Sequence, residues 1–149
     1  MNEMHELYQE LILDHKRHPR NFREMPDATR AVDGHNPLCG DQLRLFVKVA
    51  DGRVEDVSFI GVGCAISMAS ASMLTESVNG KTVEEAKRLF ADMHDLLTSV
   101  HPRSDPAELG NLGVLAGVHE YPMRVKCATL SWHALATALT TEDTVVTTE

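Results

Sequence analysis

Apolar residues at Leu43, Leu45, Val47 and Val49 alternate with Gln42, Arg44, Phe46 and Lys48, and Asp51-Gly52 then turns the chain into Val54, Val57, Phe59 and Ile60. A two-residue period on both sides of an Asp-Gly turn predicts a β-hairpin. Elsewhere the period is that of a helix. Leu7, Leu11 and Ile12 make one apolar face, with Asn2 as the cap and Pro19 as the stop, and the residues from there to Asp33 read as polar and irregular. Beyond the hairpin, Gly61-Val62-Gly63 breaks the strand, and a helix is expected from about Ala65 to Val78. Its Ala65, Ser67, Ala69, Ser70, Ala71 and Ser72 are small, which suits close packing against the sheet. Thr82-Val83-Glu84-Glu85 is a capping box for a helix through about Leu97, and Asp105-Pro106-Ala107-Glu108 opens a shorter one, both polar-faced and near the surface. A last helix is expected from about Cys127 to Leu139, and Thr140 to Glu149 reads as a frayed tail. Together these elements predict a single α+β domain over residues 1–149, with a small antiparallel sheet and helices packed on one face.

With 149 residues and 43% hydrophobic composition, the chain can bury a core of its own without disulfides. Three cysteines cannot all pair internally, and an odd, widely spaced set fits a reducing compartment. Met1 to Glu6 lacks a basic and apolar leader, and no stretch reaches membrane-spanning length, so a soluble cytoplasmic protein with no membrane partner is expected. A net charge of −8 argues against a nucleic-acid partner, whose affinity would rest on Lys and Arg displacing counterions. The basic run His15-Lys16-Arg17-His18-Pro19-Arg20 is a local exception. At a helix C-terminus such cations complement the macrodipole, and they also make a candidate patch for an acidic partner protein.

The chemistry concentrates at the cysteines. Cys39 follows Pro37 and precedes Gly40, Cys64 follows Gly61 and Gly63, and Cys127 opens an apolar helical pattern. A buried apolar role suits cysteine in general, but turn-prone neighbours favour a metal site near solvent instead. Zinc takes thiolate, imidazole and carboxylate in tetrahedral sets, so three cysteines and Asp41 complete four positions. His35, four residues before Cys39, is the alternative fourth ligand. His133 is expected to pack beside Trp132 in the last helix.

Pro37-Leu38-Cys39-Gly40-Asp41, Gly61-Val62-Gly63-Cys64-Ala65-Ile66-Ser67 and Arg124-Val125-Lys126-Cys127-Ala128-Thr129-Leu130-Ser131-Trp132 together closely resemble the IscU/NifU-like iron–sulfur cluster assembly family, over nearly the whole chain. Within it the chain is most similar to the SufU branch, zinc-bound sulfur-transfer proteins that serve a cysteine desulfurase. Two departures from the IscU pattern favour that branch: Lys126 stands where IscU scaffolds have histidine, and the segment from Lys81 to Val118 is longer. A third departure is Glu120-Tyr121-Pro122-Met123-Arg124, where the chaperone-binding stretch of IscU scaffolds is richer in proline. The resemblance implies zinc held by Cys39, Asp41, Cys64 and Cys127, with Cys39 as the catalytic thiol. It further implies a pyridoxal-phosphate-dependent (SufS-like) cysteine desulfurase as donor and a downstream assembly scaffold as recipient. The same residues also suit a scaffold carrying a transient [2Fe–2S] cluster, or a purely structural zinc.

Overall fold

Asp51 and Gly52 both adopt positive φ, +53° and +74°, the backbone a tight two-residue hairpin turn demands. They join β2 (Asp41–Ala50) to β3 (Arg53–Val62), antiparallel with Leu45 opposite Phe59 and Val47 opposite Val57. The computed structural model describes residues 3–103 and 105–148. The cap expected at Asn2 lies outside them.

Two further strands lie where none is expected. Strand β1 (Arg30–Asn36), antiparallel to β2, begins within the stretch read as irregular and runs three residues beyond it. Its inward positions are Val32, Gly34 and Asn36, so only one of the three carries an apolar side chain and the alternation is hidden. Gly34 is inward because helix α4 (Val125–Thr140) passes over it: a Cβ there would lie 3.2 Å from Leu130. The segment read as a frayed tail returns as β4 (Val145–Thr147), parallel to Asp33–His35 of β1. Among the described residues the sheet is therefore four-stranded and mixed, in the order β3-β2-β1-β4, antiparallel except at this last edge.

One sheet face, through Val32, Leu43, Leu45, Val47, Val54, Val57 and Phe59, joins the helices in a single apolar cluster. The opposite face carries ion pairs such as Arg44–Asp33 and Lys48–Asp27. Helix α1 (Glu3–Arg17) buries Tyr8 and Ile12. In α2 (Ala65–Val78) the small residues admit neighbouring helices as well as β3. Ser70 Oγ donates to Ala128 O of α4 at 2.6 Å and accepts from Trp132 Nε1 at 3.1 Å. Helix α3 (Val83–Thr98) begins at the expected capping box, with Thr82 and Glu85 reciprocally bonded. The next segment is neither short nor superficial. Pro106–Glu120 is a 3₁₀ run kinked at Gly110, burying Leu112, Val114, Leu115 and Val118. His133 meets Phe90 and His94 rather than Trp132, because consecutive helical residues point about 100° apart.

His15 ties α1 to α2. Its Nδ1 lies 2.7 Å from Ser72 Oγ, and the residue is 3% exposed. Burial, reinforced by Arg20, holds its pKa below the ordinary 6.5 despite Glu76. His133 is lowered too, by burial and by His94. A depressed histidine stays neutral in the folded chain while the unfolded chain takes up its proton. Its contribution is therefore complete above pH 6.5 and is lost as pH falls through the lower folded value, at about 1.4 kcal/mol per unit of depression. Thermal unfolding between pH 7 and 5 should show melting falling with acidity, less steeply in His15→Gln; equal slopes would remove His15 from this account.

Candidate metal centre

The β1–β2 turn carries Cys39. Asn36 and Asp41 pair across its base, Cys39 N–H donates to Asn36 O at 3.2 Å, and Gly40 takes φ +71°, which glycine adopts without strain. Cys39 is left partly exposed near the tip, whereas Asp41 is drawn inward to 1% exposure. Asp41 Oδ1 accepts the Cys64 N–H at 2.8 Å, and Oδ2 accepts from Asn36 Nδ2 at 3.3 Å. This approach needs Gly63, where a Cβ would come within 2.7 Å of Oδ1.

Cys64 caps α2, its Sγ accepting the Ser67 N–H at 3.4 Å. Cys127 lies in the first turn of α4 and accepts from Asn36 Nδ2 at 3.3 Å. The ligand atoms of Cys39, Asp41 and Cys127 lie within 4.8 Å of one another, a grouping that could hold a metal ion. Cys64 falls outside that mutual limit, with its Sγ 4.0 Å from Asp41 Oδ2.

The donors are not all near solvent as expected. Cys127 is fully buried and with Asp41 forms the floor, while Cys39 and Cys64, both partly exposed, form the rim. Cys127 is the first buried residue of α4 and lies against Asn36 and Asp41 at the base of the β1–β2 turn. His35 is not among the grouped donors either. Neighbouring strand residues face opposite ways, so Asn36 faces the sulfurs and His35 lines an open groove on the outer sheet face with Asp33, Gln42 and Arg44. Lys126 is exposed.

A hydrogen bond from Cys127 brings the Cys64 thiol down to about 6 against the opposing effect of burial, with help from the Ser67 N–H. The same bond, and burial, push the Cys127 thiol up. Cys127 thus holds its proton in the metal-free chain, and a bound cation would displace it. Asn36 Oδ1 is buried without a hydrogen-bond partner among the described residues, a second sign of a polar centre. Three soft sulfurs and one oxygen suit zinc or iron.

Sequence reasoning assigned no role to two residues here. Asn36 holds Asp41 and Cys127 together from a strand position that reads as loop. Arg124 Nη1 donates to Cys39 Sγ at 3.6 Å, and its pKa is raised by Cys127 foremost and by Cys64 and Cys39. The available signal was its place just before α4, where a cation opposes the macrodipole and so needs another reason.

Residues 7–128 match the model of the NifU-like N terminal domain. The chain belongs to this NifU-like family. The chain is similar to the zinc-dependent sulfurtransferase SufU of Bacillus subtilis, 42% identical over 137 residues that cover 92% of each chain. The iron–sulfur cluster assembly scaffold protein IscU of Streptococcus pyogenes is 40% identical over 93% of this chain and 86% of its own. A crystal structure from Fervidobacterium islandicum, described as a candidate iron–sulfur assembly scaffold of the SUF system, superposes with TM-score 0.83 at 33% identity, covering 91% of this chain and 98% of that one. The NifU-like match includes Cys39, Asp41, Cys64 and Cys127 and ends before β4. No described helix is long and apolar enough to cross a membrane.

Proposed function

We propose that Cys39, Asp41, Cys64 and Cys127 hold a zinc ion and that the chain is a zinc-dependent sulfurtransferase. It accepts persulfide sulfur from a pyridoxal-phosphate-dependent cysteine desulfurase and relays it, in the cytoplasm, to a scaffold that assembles iron–sulfur clusters. The observation that carries this reading is the split within the donor set. Asp41 and Cys127 are fixed in the floor, while Cys39 sits on a turn with a guanidinium beside its sulfur. A purely structural ion would not call for a partly exposed ligand of this kind.

Bound zinc would keep the thiols deprotonated at neutral pH. In the transfer step the Cys39 thiolate attacks the terminal sulfur of the donor persulfide. A new S–S bond forms at Cys39 as the old one breaks, and its electron pair leaves on the donor's cysteine thiolate. Arg124 offsets negative charge during this exchange. Around the rim Leu38 is 67% exposed, Val62 68% and Met123 75%, an apolar fringe suited to a protein partner.

The IscU relative supports a second reading, a scaffold on which a [2Fe–2S] cluster is built and passed on. Anaerobic purification without a metal-binding tag separates the two. Equimolar zinc with no sulfide-to-iron absorption band is the expected result, and iron with acid-labile sulfide in its place would install the scaffold reading.

A further inference from the structure

The C-terminal strand ends beside the metal centre. Thr148, 8% exposed, donates its N–H to His35 O at 3.0 Å and its hydroxyl to Lys126 O at 3.2 Å. His35 immediately precedes Asn36, and Lys126 immediately precedes Cys127. Asn36 and Cys127 are themselves joined by the amide-to-sulfur bond at 3.3 Å. One residue thus bridges the backbones of two segments whose next side chains meet on the floor of the centre. The tail is also held further back, where Arg30 donates to Ala138 O, Thr141 O and Asp143 O, and Asp33 N–H donates to Thr144 O. Those bonds fasten the strand but touch neither Lys126 nor the His35 carbonyl.

We infer that Thr148 is a positioning residue for the metal centre, setting the separation of β1 and α4 so that Asn36 holds Asp41 and Cys127 with their ligand atoms together. The inference rests on the metal site proposed above. A metal site depends on the groups that orient its ligands, and the distance between two secondary-structure elements is such a constraint when each contributes to the floor. Thr148 lies beyond the stretch that matches the family, which ends at residue 128.

The test compares zinc-loaded wild type with Thr148→Val, Thr148→Ser and Arg30→Gln. Zinc release to a chromogenic chelator and the ligand-field absorption of the cobalt(II)-loaded forms are recorded beside melting temperature. Valine keeps the size and the N–H bond but loses the hydroxyl, so release should quicken about three- to tenfold, the range carried by one neutral hydrogen bond. Its cobalt bands should shift, whereas Thr148→Ser should match wild type. Arg30→Gln should lower the melting temperature with little change in release or cobalt spectrum.

Wild-type release and spectrum in Thr148→Val would overturn the inference. So would equal acceleration in Arg30→Gln, which would make the effect a general loosening of the tail. Failure of wild type to take up zinc or cobalt would sink the metal reading instead. Alkylation of Cys127 in the metal-free protein then decides the positioning role, which requires faster labelling in Thr148→Val than in wild type and is overturned by equal rates.

Discussion

Cys39→Ala should abolish stimulation of the desulfurase while leaving the fold intact. The residue lies on a partly exposed turn, and its backbone bond to Asn36 O does not involve the thiol. Surface changes of this kind stay within about 0.5 kcal/mol, so the metal-free variant and metal-free wild type should melt together. The chemistry has no such tolerance. Cys127 is buried, and the Cys64 sulfur accepts the Ser67 N–H at the start of α2, so neither is presented on a turn as Cys39 is. Alanine formation by the desulfurase, measured with and without each protein, should drop to the unassisted rate for the variant, and mass spectrometry should find no persulfide on it. Full stimulation by Cys39→Ala would end the sulfur-transfer proposal.

Asp41→Ala should be the most damaging substitution for metal retention and a costly one for stability. The carboxylate is 1% exposed, accepts the Cys64 N–H and the Asn36 amide, and lies against Gly63. Removing it strands those donors, at about 1–3 kcal/mol for a buried group left without a partner. It also deletes a ligand in the proposed set, so metal affinity should fall by more than the roughly 10–100-fold seen when only an outer-shell group is lost. Chelator competition and denaturant unfolding of the metal-free forms read the two effects separately. Unchanged affinity would remove Asp41 from the ligand set; unchanged stability would show that its hydrogen bonds are replaced by water.

The elements legible in the sequence are those whose burial follows one period. The β2–β3 hairpin keeps its two-residue period through Leu43, Leu45 and Val47 and through Val57 and Phe59, despite an irregularity at Lys48/Val49, and α3 announces itself through Thr82 and Glu85. By contrast, β1 turns Gly34 and Asn36 inward, one to admit α4 and the other to bond Asp41 and Cys127, so these contacts erase its alternation. The run after Asp105 was misjudged for another reason. Leu112, Leu115 and Val118 recur every third residue, the period of a 3₁₀ helix, which is seldom sustained over such a length. At the candidate centre, the sequence named the cysteines but not their depth. Cys127 is buried against Asn36 and Asp41, which are remote in sequence, and no local pattern reports that contact.

Asn36 and Asp41 close the base of the turn, so Cys39 rides on a very short arm. Its anchors are engaged with Cys64 and Cys127, and the tether has little slack. The thiol can swing by about the length of a side chain and no further. On the proposed reading, the approach of the two sulfurs is therefore set by how the donor docks against the rim, and not by a long excursion of the Cys39 turn.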